Sequence, residues 1–262
     1  MILFTGGGSL AIAFKKKYDC EIISARKLTD EQLKNTLKNA KIIFHNAALV
    51  NSTDLNSLIA SNFVLTKRII DLAAEVNPSV NFINISSMSF LGLNGDIDAM
   101  HSMSPYAISK YMAEVYCLNH KIRTTSIRFS TIFYGNPIKD GLSKLAYEAV
   151  IKGSVDIFNN GDAKRDFIPI EIVVEYLNKL TTILHLPAVI NIVSGKPTQF
   201  KEFIEHVRIL NPNIVVNNID GFTKEVLSDF SKRDIVLLGE IEFSIFDFFT
   251  KYVNKLYEDF NL

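Results

Sequence analysis

The sequence predicts an α/β protein: a doubly wound parallel sheet with a smaller C-terminal lobe. Two observations predict it. Short β-rich apolar runs alternate strictly with helical segments through the first half, and those runs are unbroken rather than alternating in polarity. That is how strands covered on both faces by helices read.

Residues 2–5, 20–23, 41–44, 80–85 and 122–129 read as the strands. Helical candidates fill the gaps at 9–18, 30–37, 54–76 and 105–118, and Asn77 with Pro78 stops the third before the next strand. Beyond Tyr134 the pattern loosens. Short strands at 155–158, 190–193 and 214–216 lie among helices at 141–152, 171–185 and 199–210, and a last helix spans 243–260. On that helix Ile245, Phe249, Tyr252, Val253, Leu256 and Phe260 recur at helical spacing, as a core-facing stripe does. Residues 1–135, with parts of 160–195, are expected to form the sheet domain, and 136–262 the smaller lobe, the two interleaved.

Composition narrows the class. The 262 residues carry 28 basic and 28 acidic side chains, 48% apolar residues, two cysteines and no tryptophan. A neutral chain lacks the cationic surplus that nucleic acid demands. No apolar stretch approaches the length of a membrane span, and strand-like sequence from Ile2 leaves no room for a signal peptide. Cys20 and Cys117 have neither disulfide-framework nor metal-ligand spacing. A cytoplasmic setting is the expectation.

The first strand runs into Thr5-Gly6-Gly7-Gly8-Ser9-Leu10-Ala11 and then a helix. Gly6, Gly8 and Ala11 fit the dinucleotide fingerprint. The first glycine serves a tight turn, the second a close approach of backbone to pyrophosphate, and the small third residue helix–strand packing. The N–H groups around Ser9 and Leu10, at the helix start, would face that phosphate. An ordinary glycine turn is the bland reading. The second strand then ends in Ser24-Ala25-Arg26-Lys27, with no carboxylate for an adenosine ribose. Ser24, Arg26 and Lys27 suit a 2′-phosphate, so NADP is favoured over NAD; mere exposed loop charges would read the same.

Tyr106-Ala107-Ile108-Ser109-Lys110 sets a phenol and an ammonium four apart on one helix face. Upstream, the fourth strand ends in Ser86-Ser87, at the carboxyl edge where open α/β sheets place ligands. Moving hydride to or from an alcohol carbon also requires a proton on or off its oxygen. A phenol can carry that proton near neutrality only if cations lower its pKa against burial; Lys110 and an oxidised nicotinamide are the cations at hand. Ser87 would align the same oxygen. No metal-ligand motif is present.

With glycine loop, Ser87 and Tyr106/Lys110 in this order, the chain resembles the extended short-chain dehydrogenase/reductase family of nucleotide-sugar epimerases, dehydratases and reductases, built on a Rossmann-type sheet. The likeness extends over roughly residues 2–240. Phe44 to Ala48 (FHNAA) resembles the His-x-Ala-Ala segment lining the cofactor, and Asn62 to Thr66 the Asn-Val-x-Gly-Thr segment. Phe82 to Gly92 is similar to the serine loop, and Ile127 to Asn136 to the Leu-Arg-Pro…Tyr-Gly-Pro stretch. Arg165-Asp166-Phe167-Ile168 resembles the segment whose arginine meets the substrate diphosphate. Asn191 to Gly195 and residues 231–239 are similar to the closing motifs. The resemblance implies Ala47, Ala48, Asn62 and Phe129 as cofactor contacts beside the loop, Tyr106 and Lys110. It implies Ser87, Thr131 and Arg165 as substrate contacts, and a homodimer pairing helices 54–76 and 105–118 in a four-helix bundle.

The departures restrict the chemistry. Met88-Ser89 follows Ser87 where water-eliminating members carry Asp-Glu, and Ser89 stands where carbon-epimerising members carry cysteine. Leu91 replaces the usual tyrosine, and Thr131 an asparagine. Redox at one carbon remains: 4-keto reduction, or C4 epimerisation by oxidation and re-reduction. The rival expectation is a non-catalytic dinucleotide-binding redox sensor or regulator of the same fold. Asp162, Asp166 and Glu171 read as solvated loop and helix-cap acids, and His101 as a surface residue.

Overall fold

Six parallel strands form the main sheet of the computed structural model, which describes residues 1–92, 103–221 and 234–260. Their order is β10-β5-β4-β3-β1-β2, with β1 Ile2–Phe4, β2 Glu21–Ile22, β3 Ile42–His45, β4 Asn81–Ile85, β5 Thr124–Phe129 and β10 Val189–Ile192. This is the Rossmann-type sheet that the alternation predicts. The connecting helices are α1 Ser9–Lys15, α2 Asp30–Leu37, α3 Leu55–Leu58, α4 Leu65–Val76 and α5 Pro105–Leu118.

By contacts the chain divides into two units. The first comprises Met1–Phe129, Val174–Ile192 and Val236–Leu238, and the second Ser130–Val173, Val193–Ile235 and Gly239–Leu262.

In the first unit the strand period of two sorts the core. Leu3, Ile43 and Phe82 bury one sheet face against Leu33 and Leu37 of α2 and Ile69, Ile70 and Ala73 of α4. Phe4 and Phe44, one step along, stack at 4.8 Å on the other face with Phe14 of α1. Local chemistry starts each helix. Thr29 and Gln32 cap α2 reciprocally. Ser104 accepts from the Ala107 N–H at 3.2 Å and Pro105 occupies the first turn, so α5 begins one residue before Tyr106.

The predicted helix 54–76 is one continuous rod with a π-helical segment, Ile59–Val64, between α3 and α4. Hydrophobic spacing does not show such a segment. The strand read at 190–193 joins β5 in parallel and completes the large sheet.

The second unit holds α6 Gly141–Tyr147, continued as a π-helix to Lys152, with α8 Phe200–Leu210 and α10 Ile245–Phe260. It has three strand pairs: β6 Thr131–Phe133 with β9 Phe167–Pro169, β7 Ser154–Phe158 with β12 Val215–Ile219, and β8 Lys164–Arg165 with β11 Thr198–Gln199. The pairs with β6 and β8 lie below the length that a sequence pattern resolves. The remaining helices are α7 Ile170–Leu180 and α9 Ile235–Leu238. Helix α7 ends before the predicted 185, where the Thr181 and Thr182 hydroxyls take the Asn178 and Lys179 carbonyls. The stripe on α10 is core, with Phe249 and Val253 fully buried; Phe260 departs from it at 47% exposed.

Candidate functional site

The glycine loop leaves β1 at Thr5, whose N–H donates to the Phe44 carbonyl at 3.2 Å. Gly6 is needed for proximity rather than for its backbone angle. A Cβ there would lie 2.8 Å from Ala47 Cα, and Gly6 is not among the residues with positive φ. The chain bends at Thr5 and Gly6, and close approach is a further demand on the first glycine: β1 and the loop after β3 touch backbone to backbone. Asn46 ties them further, donating to the Gly6 carbonyl at 2.9 Å. Gly7 and Gly8 are exposed, and a Cβ on either would meet nothing closer than 3.9 Å. The start of α1 has no side-chain cap and no acid in its first turn, so Ser9 and Leu10 lie in a stretch of backbone open to an anion. A closed loop floor and an open loop roof fit a dinucleotide pyrophosphate.

Ser24, Arg26 and Lys27 are all exposed on the short 3₁₀ turn after β2, and the Ala25 N–H returns to the Thr5 carbonyl. That bond holds the two cations at the rim of the loop. Ala48 is half-buried after β3 and Phe129 is buried at the end of β5.

Strand β4 and helix α5 bring together the three residues singled out for chemistry. The Ser87 hydroxyl stands near enough to the Tyr106 phenol to favour its ionised form, and it donates to Ser89 Oγ at 3.0 Å. Lys110 is 3% exposed, and its ammonium donates to the Ile85 carbonyl, two residues before Ser87. Burial lowers the Lys110 pKa to about 8. Burial raises that of Tyr106, and the Ser87 hydroxyl only partly opposes it. The expected lowering of the phenol is therefore not seen in this arrangement, where burial of Tyr106 prevails.

Asn62 is 1% exposed and fully committed to the protein. Its amide pairs with both backbone groups of Leu49 and donates to Ser109 Oγ at 3.0 Å. Two polar residues that the motif resemblance includes, but to which the sequence assigns no role, stand beside it. His45 ends the otherwise apolar β3, and Thr66 lies on the apolar face of α4; each is 1% exposed. A polar residue at a core position was the available signal.

The second unit holds Thr131 and Arg165. Thr131 donates its N–H to the Asp166 carbonyl. Arg165 lies 5.8 Å over the Phe200 ring, and its buried Nε has no hydrogen-bond partner. Phe200 also lines a cavity of about 190 Å³ with Leu145, Val155, Ile157, Phe158 and Gly161. Asp166 is fully buried rather than solvated, and it accepts from the Ser194 and Gly195 N–H groups at 2.9 and 2.6 Å. It latches the loop after β10, a role invisible without knowing that the two segments meet. Asp162 is exposed and pairs with Lys201. His101 and residues 222–233 lie outside the described residues. Among the described residues no cluster of metal ligands occurs, and no helix is long and apolar enough to cross a membrane.

A family model described as the NAD dependent epimerase/dehydratase family matches residues 9–193. A curated relative, Protein CapI of Staphylococcus aureus, is 28% identical over 181 residues, which cover 57% of this chain and 53% of CapI. The match thus spans about half the length of that relative. Among solved structures, UDP-glucose 4-epimerase of Thermotoga maritima with UDP-glucose superposes with a TM-score of 0.80 at 17% identity, covering 99% of each chain. UDP-glucuronic acid 4-epimerase of Bacillus cereus, with UDP-glucuronic acid and NAD, gives 0.79 at 18% identity, covering 98% of this chain and 100% of its own. RMD of Pseudomonas aeruginosa complexed with NADPH gives 0.80 at 16%, covering 98% and 99%. At these identities the superpositions establish the fold.

Proposed function

The chain belongs to the NAD-dependent epimerase/dehydratase family, and from that premise we propose that it catalyses NAD(P)-dependent redox at one carbon of a nucleotide-activated sugar. The reaction is 4-keto reduction or C4 epimerisation. The observation that carries this reading is that Ser87, just past β4, meets the Tyr106 phenol of α5, with Lys110 one helical turn along and its ammonium on the Ile85 carbonyl.

The nicotinamide, when bound, accepts or delivers the hydride. Tyr106 moves the proton at the sugar oxygen. Ser87 orients that oxygen by hydrogen bonding, and Lys110 holds the cofactor ribose, while the positive charge of an oxidised nicotinamide would oppose the burial that raises the phenol's pKa. Met88 and Ser89 supply no carboxylate pair for eliminating water.

NADP is the preferred cofactor on this reading, because the exposed Arg26 and Lys27 stand where a ribose-binding carboxylate would favour NAD. Gly6, Gly8, Ser9 and Leu10 receive the pyrophosphate. The second unit serves as the substrate lobe. Arg165 offers an unused donor to the diphosphate, and the cavity beside Phe158 and Phe200, whose lining also includes Lys144, Glu148 and Asp156, offers the mix of aromatic faces and polar groups that suits a nucleobase. Two copies pair through α3, α4 and α5, where Leu55, Val64 and Val115 are 38%, 51% and 40% exposed. The structures in complex with UDP-glucose, UDP-glucuronic acid and NADPH support the substrate and cofactor classes by analogy.

The test is cofactor turnover with a panel of UDP- and dTDP-sugars and their 4-keto derivatives, using NADPH and NAD in parallel. Sugar-dependent oxidation of NADPH, or interconversion of C4 epimers, is expected and should fall by roughly 10²- to 10⁴-fold with Tyr106→Phe. Tight NADPH binding without turnover of any sugar would favour the non-catalytic reading.

A further inference from the structure

A line of five buried side chains crosses the first unit from the glycine loop to the helix carrying Tyr106. Thr5 Oγ1 lies 2.7 Å from His45 Nδ1, and His45 Nε2 lies 2.8 Å from Thr66 Oγ1. Thr66 Oγ1 donates to the Asn62 carbonyl at 2.5 Å, inside the π-helical segment. Asn62 Nδ2 donates to Ser109 Oγ, and Ser109 Oγ donates to the Tyr106 carbonyl at 2.8 Å.

Every proton in this line has a determined place. Thr66 gives its one hydroxyl proton to Asn62, so it must accept from His45, which therefore carries hydrogen on Nε2. His45 Nδ1 is then a bare acceptor, and the proton between it and Thr5 belongs to Thr5. A charged imidazole would reverse that bond, with Nδ1 donating and Thr5 accepting. Burial, with the Lys110 and Arg26 cations adding to it, holds the His45 pKa down to about 3, so the ring stays neutral. Both hydrogens of the Asn62 amide are used, and so is its oxygen.

None of the five side chains is more than 1% exposed. Water therefore cannot replace a lost member, and a gap at one position leaves its neighbours unsatisfied. The line ends on the backbone of Tyr106 itself. We propose that His45 and Thr66 are positioning residues: through Asn62 and Ser109 they fix the start of α5, and hence the Tyr106 phenol, relative to the glycine loop at Thr5. The inference rests on Tyr106 being the acid of the proposed reaction, and it adds two residues that neither touch cofactor nor substrate.

The experiment reads the phenol directly. Protein labelled at the tyrosine ring Cζ with ¹³C gives one signal for each of nine tyrosines, and the Tyr106 signal is the one lost in Tyr106→Phe. Thr66→Val keeps the side-chain shape and removes the hydroxyl; Thr66→Ser keeps the hydroxyl. The Tyr106 signal should move in Thr66→Val and stay at its wild-type position in Thr66→Ser. Thr5→Val cuts the line at its far end and decides the matter if Thr66→Val does not fold; it too should move the signal. Where turnover is measured, kcat of Thr66→Val should fall roughly 10- to 100-fold, as for a slightly misplaced catalytic group, and Thr66→Ser should restore it. A purely structural role would lower Tm and leave the Tyr106 signal in place, and that result in a folded Thr66→Val or Thr5→Val protein overturns the proposal. Because the signal is read without substrate, this failure is distinct from finding that Tyr106→Phe retains activity.

Discussion

The two units hold their key side chains by different physics. In the first, Thr5, His45, Asn62, Thr66 and Ser109 are joined by directed hydrogen bonds and sealed from water. In the second, Phe203 packs against Phe167, Phe246 and Phe249 with ring centroids 5.0–5.4 Å apart, while Arg165 keeps an unused donor. Hydrogen bonds fix angles and tolerate little displacement, whereas aromatic packing is strong but less directional. The first arrangement suits a proton transfer that must be aligned. The second suits a lobe whose ligand contacts form on binding.

Breaking each unit in turn should separate rate from stability. The largest effect is expected from Tyr106→Phe, which removes one hydroxyl and keeps the ring. Turnover should fall by roughly 10²- to 10⁴-fold, with Tm and NADPH affinity near wild type; a wild-type rate on a confirmed substrate would refute the assigned chemistry. Phe203→Ala should do the converse. Emptying a fully buried ring position costs about 3–5 kcal/mol, visible as a lower urea midpoint, while NADPH titration well below the transition should be unaffected. A matching loss of NADPH affinity would erase the contrast between the units.

Two smaller effects sharpen the account of the first unit. Arg26→Ala should weaken NADP(H) by about 1.5–3 kcal/mol and spare NAD(H), as paired fluorescence titrations would show; equal weakening of both would remove Arg26 from the 2′ position. Gly6→Ala drives a methyl to within 2.8 Å of Ala47 Cα, and about 1–3 kcal/mol of overpacking strain is expected in chemical denaturation. Gly8→Ala, which meets nothing closer than 3.9 Å, should leave stability near wild type and weaken only the cofactor.

What the sequence determined by itself is whatever depends on neighbours along the chain. Unbroken apolar runs between helical stretches dictated a parallel sheet covered on both faces. The glycines directly after β1 marked the phosphate loop, and the four-residue spacing from Tyr106 to Lys110 put both on one face of α5. Each follows from a local period or a local steric rule. Tertiary structure decided what depends on segments meeting across the fold. Gly6 is required because Ala47, 41 positions further on, presses against it. Asp166 is a latch instead of a solvated acid because the Ser194 and Gly195 N–H groups close on it. Lys110 has its ammonium on the Ile85 carbonyl because β4 lies beside α5, and the phenol stands above its ordinary pKa because it is buried there. His45 and Thr66 belong to two separate motifs of the sequence, and only the packing of β3 and α4 brings them within 2.8 Å. Hydrogen bonds and steric contacts act over about 3 Å in space, however many residues separate the partners along the chain.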